Sequence, residues 1–403
     1  MTAPPMASSA IPPPLSVSAQ KRMALAIADA NWFTTENLFR ELDRPGVDTL
    51  LLNCSDYYNA IRQGTPPWSW RKKLTREGPN LWRRRHILPS GWMKRFPEWG
   101  MRPISRSIEE WRGQHASNAE LTLVFTYPHY LYLRDQVRPD RHVYFNIDDY
   151  SQYWPRCARR VDELERQAVR EADLTVCVSR ARADFLRKGV PEACNRIRHL
   201  PHGAPFAILN ETPAFCPVEP PKELRGATRP ILGYVGTLED RVDWSLLTDL
   251  ADSARDATIV LIGKIPRLGR KPWQVDARRC LSRPNVRALG WRSQSLIGQY
   301  MRSFDVCLIP YRADHPFNRV CCPTKIMDYL ATGRPIVSTA LPECRLHNDL
   351  IAVANDRSGF LHAVRSFRVE EDSGGPARVS FAREHSCRNV ADRFLDWLSA
   401  DSI

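Results

Sequence analysis

The chain reads as an α/β protein built from two doubly wound halves, and three observations carry that expectation. Short apolar runs alternate with helix-period segments along most of its 403 residues, the pattern of buried parallel strands joined by helices. A Pro-rich stretch, 207–228, with Pro213, Pro217, Pro220 and Pro221, interrupts the alternation and divides the chain. Glycines recur where apolar runs end, at Gly236, Gly263 and Gly290, and let a backbone approach a ligand at the carboxyl ends of strands.

The first half, 21–206, follows a Pro-, Ala- and Ser-rich lead-in over 1–20. That composition predicts disorder, and it lacks the basic start and apolar centre of a leader. Lys21 to Ala30 reads as a strand, Thr34 to Leu42 as a helix and Val47 to Cys54 as a strand. A basic, Trp-rich excursion over 65–112 is expected as an insertion. Alternation resumes with strands at Leu121 to Tyr127, His142 to Ile147 and Leu174 to Ser179, and helices at Tyr130 to Val137 and Pro155 to Ala172. In the second half, 229–403, strands are expected at Ile231 to Gly236, Thr258 to Gly263, Val286 to Gly290, Asp305 to Tyr311, Pro335 to Thr339 and Leu350 to Ala354. Helical patterns fall at Trp244 to Ala254, Ser295 to Ser303, from Pro323 onward, at Gly359 to Phe367 and at Arg388 to Leu398.

Composition narrows the function. A hydrophobic content of 43% suffices for two cores of ordinary size. The 11 cysteines are scattered with no Cys-x-x-Cys pair, which argues for buried thiols in a reducing cytoplasm over a disulfide framework or structural zinc. No apolar run reaches membrane-spanning length. A formal charge of +13 implies an anionic partner. Between Trp68 and Arg112, Arg71, Lys72, Lys73, Arg76, Arg83, Arg84, Arg85, Lys94 and Arg95 interleave with Trp70, Trp82, Trp92, Trp99 and Trp111. That mixture fits rest on an anionic membrane surface; the alternative is a solvated loop with its tryptophans tucked inward. No RNA-reading motif accompanies the charge, so nucleic acid is not the expected partner.

Ligands of doubly wound sheets bind beyond the carboxyl ends of the strands. The first half offers Asp148 and Asp149 there; the second offers Gly236, Thr237, Lys264, Gly290, Pro310 and Tyr311. The helix opening at Pro323, Thr324 and Lys325 joins free backbone amides to a cation, an arrangement suited to a diphosphate. Carboxylates on one side and glycines with Lys264 and Lys325 on the other suit an acceptor with a general base facing a nucleotide. Each candidate has a plainer role: Asp148 or Asp149 as a helix cap, Lys325 as an i,i+3 partner of Asp328, and His129 as a structural contact. His202 reads as a hinge or cleft residue. His199 and His202 lack a partner set at metal-ligand spacing, so no metal is expected.

Gly233 to Gly236 followed by Asp240 to Trp244, Asn285 to Gly290, Asp305 to Tyr311 and Pro323 to Val337 together resemble the donor-binding half of GT-B glycosyltransferases. The resemblance is to the group-one (family-four) type, which includes teichuronic-acid and exopolysaccharide transferases, and to the xanthan-type glucuronosyltransferase. Tyr144 to Ser151, Glu165 to Ser179 and Leu200 to Gly203 extend it into the first half. It implies two Rossmann-like domains facing a cleft and transfer of a sugar, without metal or cofactor, from a nucleotide-sugar donor, UDP-linked, to a lipid-linked or oligosaccharide acceptor. The expected seat is the inner face of the cytoplasmic membrane. It carries the catalytic base onto Asp148, with Asp149 as competitor; His129 is a separate candidate for contact with the acceptor or sugar. Tyr311 and Lys325 take the nucleotide, and Asp328 takes the ribose-contacting place. Two departures are visible: Val320 stands where the family's first Glu is expected, and no basic pair directly follows Gly236, leaving Arg241 and Lys264 as substitutes.

Overall fold

The computed structural model describes residues 22–31, 33–62, 74–92, 96–210, 219–367 and 372–399. The lead-in, Trp68, Trp70, Arg71, Lys72, Lys73, Lys94, Arg95 and linker residues 211–218 lie outside the described residues.

Eight strands form the first sheet: β1 (Met23–Ala28), β2 (Val47–Asp56), β3 (Thr75–Arg76), β4 (Leu81–Leu88), β5 (Glu120–Phe125), β6 (Arg141–Asn146), β7 (Leu174–Cys177) and β8 (Ile197–His199). Their order is β3-β4-β2-β1-β5-β6-β7-β8, parallel throughout except at the β3–β4 edge. Six parallel strands form the second sheet: β9 (Ile231–Val235), β10 (Thr258–Ile262), β11 (Val286–Gly290), β12 (Val306–Ile309), β13 (Ile336–Thr339) and β14 (Ala352–Ala354), ordered β11-β10-β9-β12-β13-β14. Central strands such as β1, β6 and β10 are buried on both faces because helices cover both sides, which explains their unbroken apolar runs. The strand order reverses between β1 and β5 in one sheet and between β9 and β12 in the other. Ligand crevices belong at those reversals.

Of residues 65–112, expected as an insertion, the described parts, 74–92 and 96–112, belong to the first domain. β4 lies beside β2 over eight residue pairs, from Thr49 with Leu81 to Asp56 with Leu88, and helix Pro97–His115 packs its Met101, Ile104, Ile108 and Trp111 side inward. Trp82, Trp92 and Trp111 are buried. Arg83 is buried too, donating to Glu36 (2.6 Å), Glu77 (2.7 Å) and Asn53 (2.7 Å), while Arg84 meets Glu110 at 2.7 Å. The alternation of cation and indole that looked like a surface is half core.

The second domain ends earlier than the expected 229–403. Helix Cys387–Ser399 returns to the first domain, where Val390, Ala391, Phe394 and Leu398 close a core with Leu25, Phe39, Val143 and Phe145. Phe394 meets Phe145 edge-on at 5.6 Å, and Arg198 lies 5.2 Å over Trp397. Full burial of an aromatic such as Phe394 contributes roughly 1.5–3 kcal/mol. The chain therefore crosses between domains twice. The crossings lie side by side: Ala204 N–H donates to His385 O (2.8 Å) and Cys387 N–H to Ala204 O (2.9 Å). Gly203 fits there because a Cβ would stand 2.6 Å from Cys387 Cα.

Candidate active site

A cavity of about 610 Å³ opens between the domains at the carboxyl ends of both sheets. The first domain contributes Thr34, Ile147, Asp148, Tyr153 and His202; the second contributes the ends of β9, β10 and β12 and the start of helix Lys325–Thr332.

On the second side, the strand ends are stitched together by Gly236 N–H to Ile262 O (2.9 Å) and Gly263 N–H to Gly290 O (3.0 Å). Gly263 has φ +152, and a Cβ there would lie 1.8 Å from Gly236 O, so glycine is what lets the two strand ends meet. Lys325 is buried beneath them. Its ammonium donates to Tyr311 Oη (2.5 Å) and stands 4.4 Å from the Tyr311 ring and 5.3 Å from that of Tyr234. No carboxylate among the described residues lies within ion-pair distance of Lys325, so the i,i+3 pair with Asp328 does not form. Burial opposes ionisation of the Tyr311 hydroxyl, but Lys325 and Arg241 beside it draw its pKa below the usual phenol value. Arg241 stacks 4.1 Å over Phe317 and 5.1 Å over Tyr311 while donating to Asn318 Oδ1 (2.9 Å). Two cations thus face the cavity against aromatic rings, where phosphate oxygens would meet them with little competing water.

The helix begins at Lys325, two residues after the expected opening, with Thr324 as its N-cap and a tight i→i+3 turn leading into it. Ile326 N–H already donates to Pro323 O (3.0 Å) and Met327 N–H to Thr324 O (3.1 Å). Asp328 lines the cavity, and burial lifts its pKa to about 7 against the pull of Lys325.

On the first side, β6 delivers Asp148. Asn146 Nδ2 donates to the Asp148 carbonyl (2.9 Å) and to Glu165 (2.8 Å), whose carboxylate also accepts from Tyr144 (2.7 Å) and pairs with Arg182. That buried network fixes the strand end. Asp148 Oδ2 accepts from Tyr153 Oη (2.8 Å), and burial raises its pKa to about 6, with Tyr153, Arg241 and the Asp149 amide opposing. A carboxyl with that pKa is mostly ionised at neutral pH and has the chemistry to take up a proton.

Nine sequence candidates line the cavity: Asp148, Gly236, Thr237, Arg241, Lys264, Tyr311, Pro323, Thr324 and Lys325; Asp328 makes ten. Three do not. Asp149 is buried behind Asp148 as a cap, accepting from Ser151 Oγ (2.7 Å) and Gln152 (2.8 Å) with Arg182 at 3.6 Å. His129 stacks on Tyr127 (5.0 Å between centroids), and its pKa falls to about 4 through burial and Arg160. Gly290 opens instead into an adjoining recess with Thr237, Gly263 and Lys264. Sequence reading missed Tyr153, Phe317 and Trp291. Trp291 is 62% exposed and borders both cavity and recess; its position directly after a strand-end glycine was the available signal. His202 lines the cavity with its pKa lowered to about 4 by burial. Among the described residues no group of three or more His, Cys, Asp or Glu could hold a metal ion.

Residues 229–367 match the family model described as "Glycosyl transferases group 1". TuaH of Bacillus subtilis (strain 168), named as a teichuronic acid biosynthesis glycosyltransferase, is 25% identical over 249 residues, 59% of this chain. The match spans 60% of that relative's length. Sucrose-phosphate synthase of Thermosynechococcus elongatus superposes with a TM-score of 0.67 at 14% identity, covering 94% of this chain and 98% of that one. Anabaena HepE, solved with UDP and glucose, gives 0.63 at 13% identity, covering 94% and 100%. The fold is that of these GT-B proteins, as expected.

Proposed function

We propose that this chain, whose residues 229–367 form a group 1 glycosyl transferase domain, moves a sugar from a nucleotide-sugar donor, UDP-linked, to a glycan acceptor in cell-surface polysaccharide synthesis. The observation that carries the reading is the meeting, across one cavity, of Asp148 from the first domain with Lys325 and Arg241 from the second. The relative named for teichuronic acid synthesis and the neighbour solved with UDP and glucose support the same substrate classes.

In the mechanism these residues serve, the acceptor oxygen bonds to the anomeric carbon as the bond from that carbon to the diphosphate oxygen breaks. The acceptor proton passes to Asp148, and the diphosphate leaves with the bonding pair. Lys325 and Arg241 answer the developing charge, together with the Lys325 N–H, which precedes the amides already bonded within the helix, and Asp328 is the residue to hold a ribose hydroxyl. This is the inverting course; a retaining enzyme would use the same donor grip and have no need of Asp148 as base.

A lipid-linked acceptor and a seat on the inner face of the cytoplasmic membrane belong to the same proposal. Their support is an aromatic and basic surface at the start of helix Pro97–His115, where Phe96 and Trp99 are 65% and 58% exposed and Arg102 and Arg106 face outward. Co-sedimentation with anionic vesicles should fall when Phe96 and Trp99 become Ser; equal binding to neutral vesicles, or none, would reject the membrane seat.

The function is tested by thermal shift with UDP, GDP, ADP and CMP, since a ligand that binds only the folded state raises the melting temperature. UDP should give the largest rise. No rise with any nucleotide would favour a glycan-binding protein, and UDP-sugar turnover in buffer without acceptor would point to a hydrolase or epimerase on the same fold.

A further inference from the structure

We infer that Tyr153 is a positioning residue that holds the Asp148 carboxylate turned into the cavity as its proton-accepting form, and that Phe317 of the opposite domain keeps it there. The inference rests on the reading of Asp148 as the general base. No sequence motif pointed to either aromatic residue.

The two Asp148 oxygens are not equivalent. Oδ2 takes the Tyr153 hydroxyl at 2.8 Å, whereas Oδ1 has only a long contact of 3.3 Å from the Asp149 N–H. A proton arriving from an acceptor would therefore go to Oδ1, while the bond to Oδ2 fixes the plane of the carboxylate and steadies its charge. Tyr153 is 47% exposed, and the opposite domain supplies one of the contacts that hold its ring. Its ring leans on Tyr150 at 6.3 Å and meets Phe317 edge-on at 5.5 Å. Phe317 lies under Arg241 (4.1 Å), Arg241 over Tyr311 (5.1 Å), and Tyr311 on Lys325 (2.5 Å). A continuous series of contacts thus runs from the cations of the donor side to the carboxylate of the acceptor side. Domain separation would break it between Tyr153 and Phe317 and take away the support that the opposite domain gives to the ring carrying the hydroxyl; the base is fully held when the halves come together. The charged or titratable groups facing Asp148 are Tyr153, Asp149 and Tyr150 from its own segment and Arg241 and Cys321 from across the cavity. Of these, Tyr153 is the one that gives the carboxylate a side-chain hydrogen bond among the described residues.

The titration needs no acceptor. Full-length protein carrying aspartate labelled with ¹³C at Cγ is titrated by NMR, and Asp148 is assigned as the resonance lost in Asp148→Asn. Tyr153→Phe keeps the ring on Phe317 and removes only the hydroxyl, so the Asp148 midpoint should rise by on the order of one pH unit. Phe317→Ala, checked as folded by its melting curve, should raise the midpoint in the same direction although the hydroxyl is still present. If Tyr153 serves only as packing, Tyr153→Phe titrates as the unaltered protein does, and the inference falls. An unchanged midpoint in Phe317→Ala would overturn the contribution of the opposite domain. If Asp148→Asn instead retains full UDP-sugar turnover, it is the general-base reading that fails, and the titration would still report whether Tyr153 steadies the carboxylate.

Discussion

Replacing Lys325 with Ala removes a buried ammonium whose one hydrogen-bond partner among the described residues is the Tyr311 hydroxyl. Two opposite unit charges about 4 Å apart attract by roughly 4 kcal/mol at the effective dielectric of a protein surface. Much of that is offset by desolvating the phosphate, and a charged hydrogen bond nets about 1.5–3 kcal/mol. At about 1.4 kcal/mol per decade, Kd for UDP should rise roughly ten- to 150-fold. Calorimetry with UDP on the otherwise intact protein measures this directly. The fold should survive, because the lost bond to Tyr311 is offset by removing a cation held out of water without a carboxylate. Lys264 is exposed at the rim, so Lys264→Ala should cost less than about 1 kcal/mol. A Kd for Lys325→Ala within twofold of the unaltered value would remove Lys325 from the donor grip. An equal loss in both variants would mean that general positive potential, not this ammonium, attracts the diphosphate.

Asp148→Asn should lower turnover about a hundredfold or more with UDP affinity unchanged. In the unaltered protein turnover should decline as pH falls through about 6, since the base acts only when ionised; a rate flat from pH 5 to 8 would contradict this. Asp328 bears on stability. Its folded pKa of about 7 lies above the ordinary 3.8, so between those values the folded state holds a proton that the unfolded state has released, and stability declines as pH rises. Asp328→Asn should therefore raise the melting temperature at pH 8 and leave it nearly unchanged near pH 4; equal shifts at both would contradict the linkage. Gly263→Ala should destabilise by roughly 1–3 kcal/mol and weaken UDP binding, because its methyl meets a backbone oxygen that cannot yield without parting the strand ends; an unchanged melt would refute that.

The sequence made the strands legible where burial on both faces left an uninterrupted apolar run, as at β6, β9 and β12. It misread β4 because Arg83 and His86 are buried polar residues, and a cation satisfied by Glu36 and Glu77 looks the same in sequence as one facing water. Helix Pro272–Leu281 went unread because its buried face is made of Gln274, Ala277 and Cys280, one polar and two small residues, while Val275 on the other side is exposed. The final helix was legible as a helix, but an amphipathic stripe does not say which sheet it covers. Among the cavity residues, those at strand ends followed from chain order alone. Tyr153 and Phe317 did not, since their only signal is an encounter between side chains 164 positions apart.

The paired crossings at Ala204 and Ser386 have a consequence for how the molecule can be divided and how it can bend. With both covalent links passing through one hydrogen-bonded point, twisting or sliding of the halves would shear that bridge, whereas opening about it would not. The movement left free is that of a clasp pivoting on a single pin. Stopping the chain at the 207–228 stretch would not release a self-sufficient first half either. It would strip away Val390, Ala391, Phe394 and Leu398 and bare the side of the sheet carrying Leu25, Val143 and Phe145. Supplied separately, a peptide spanning 387–399 should bind back to such a fragment and restore its solubility.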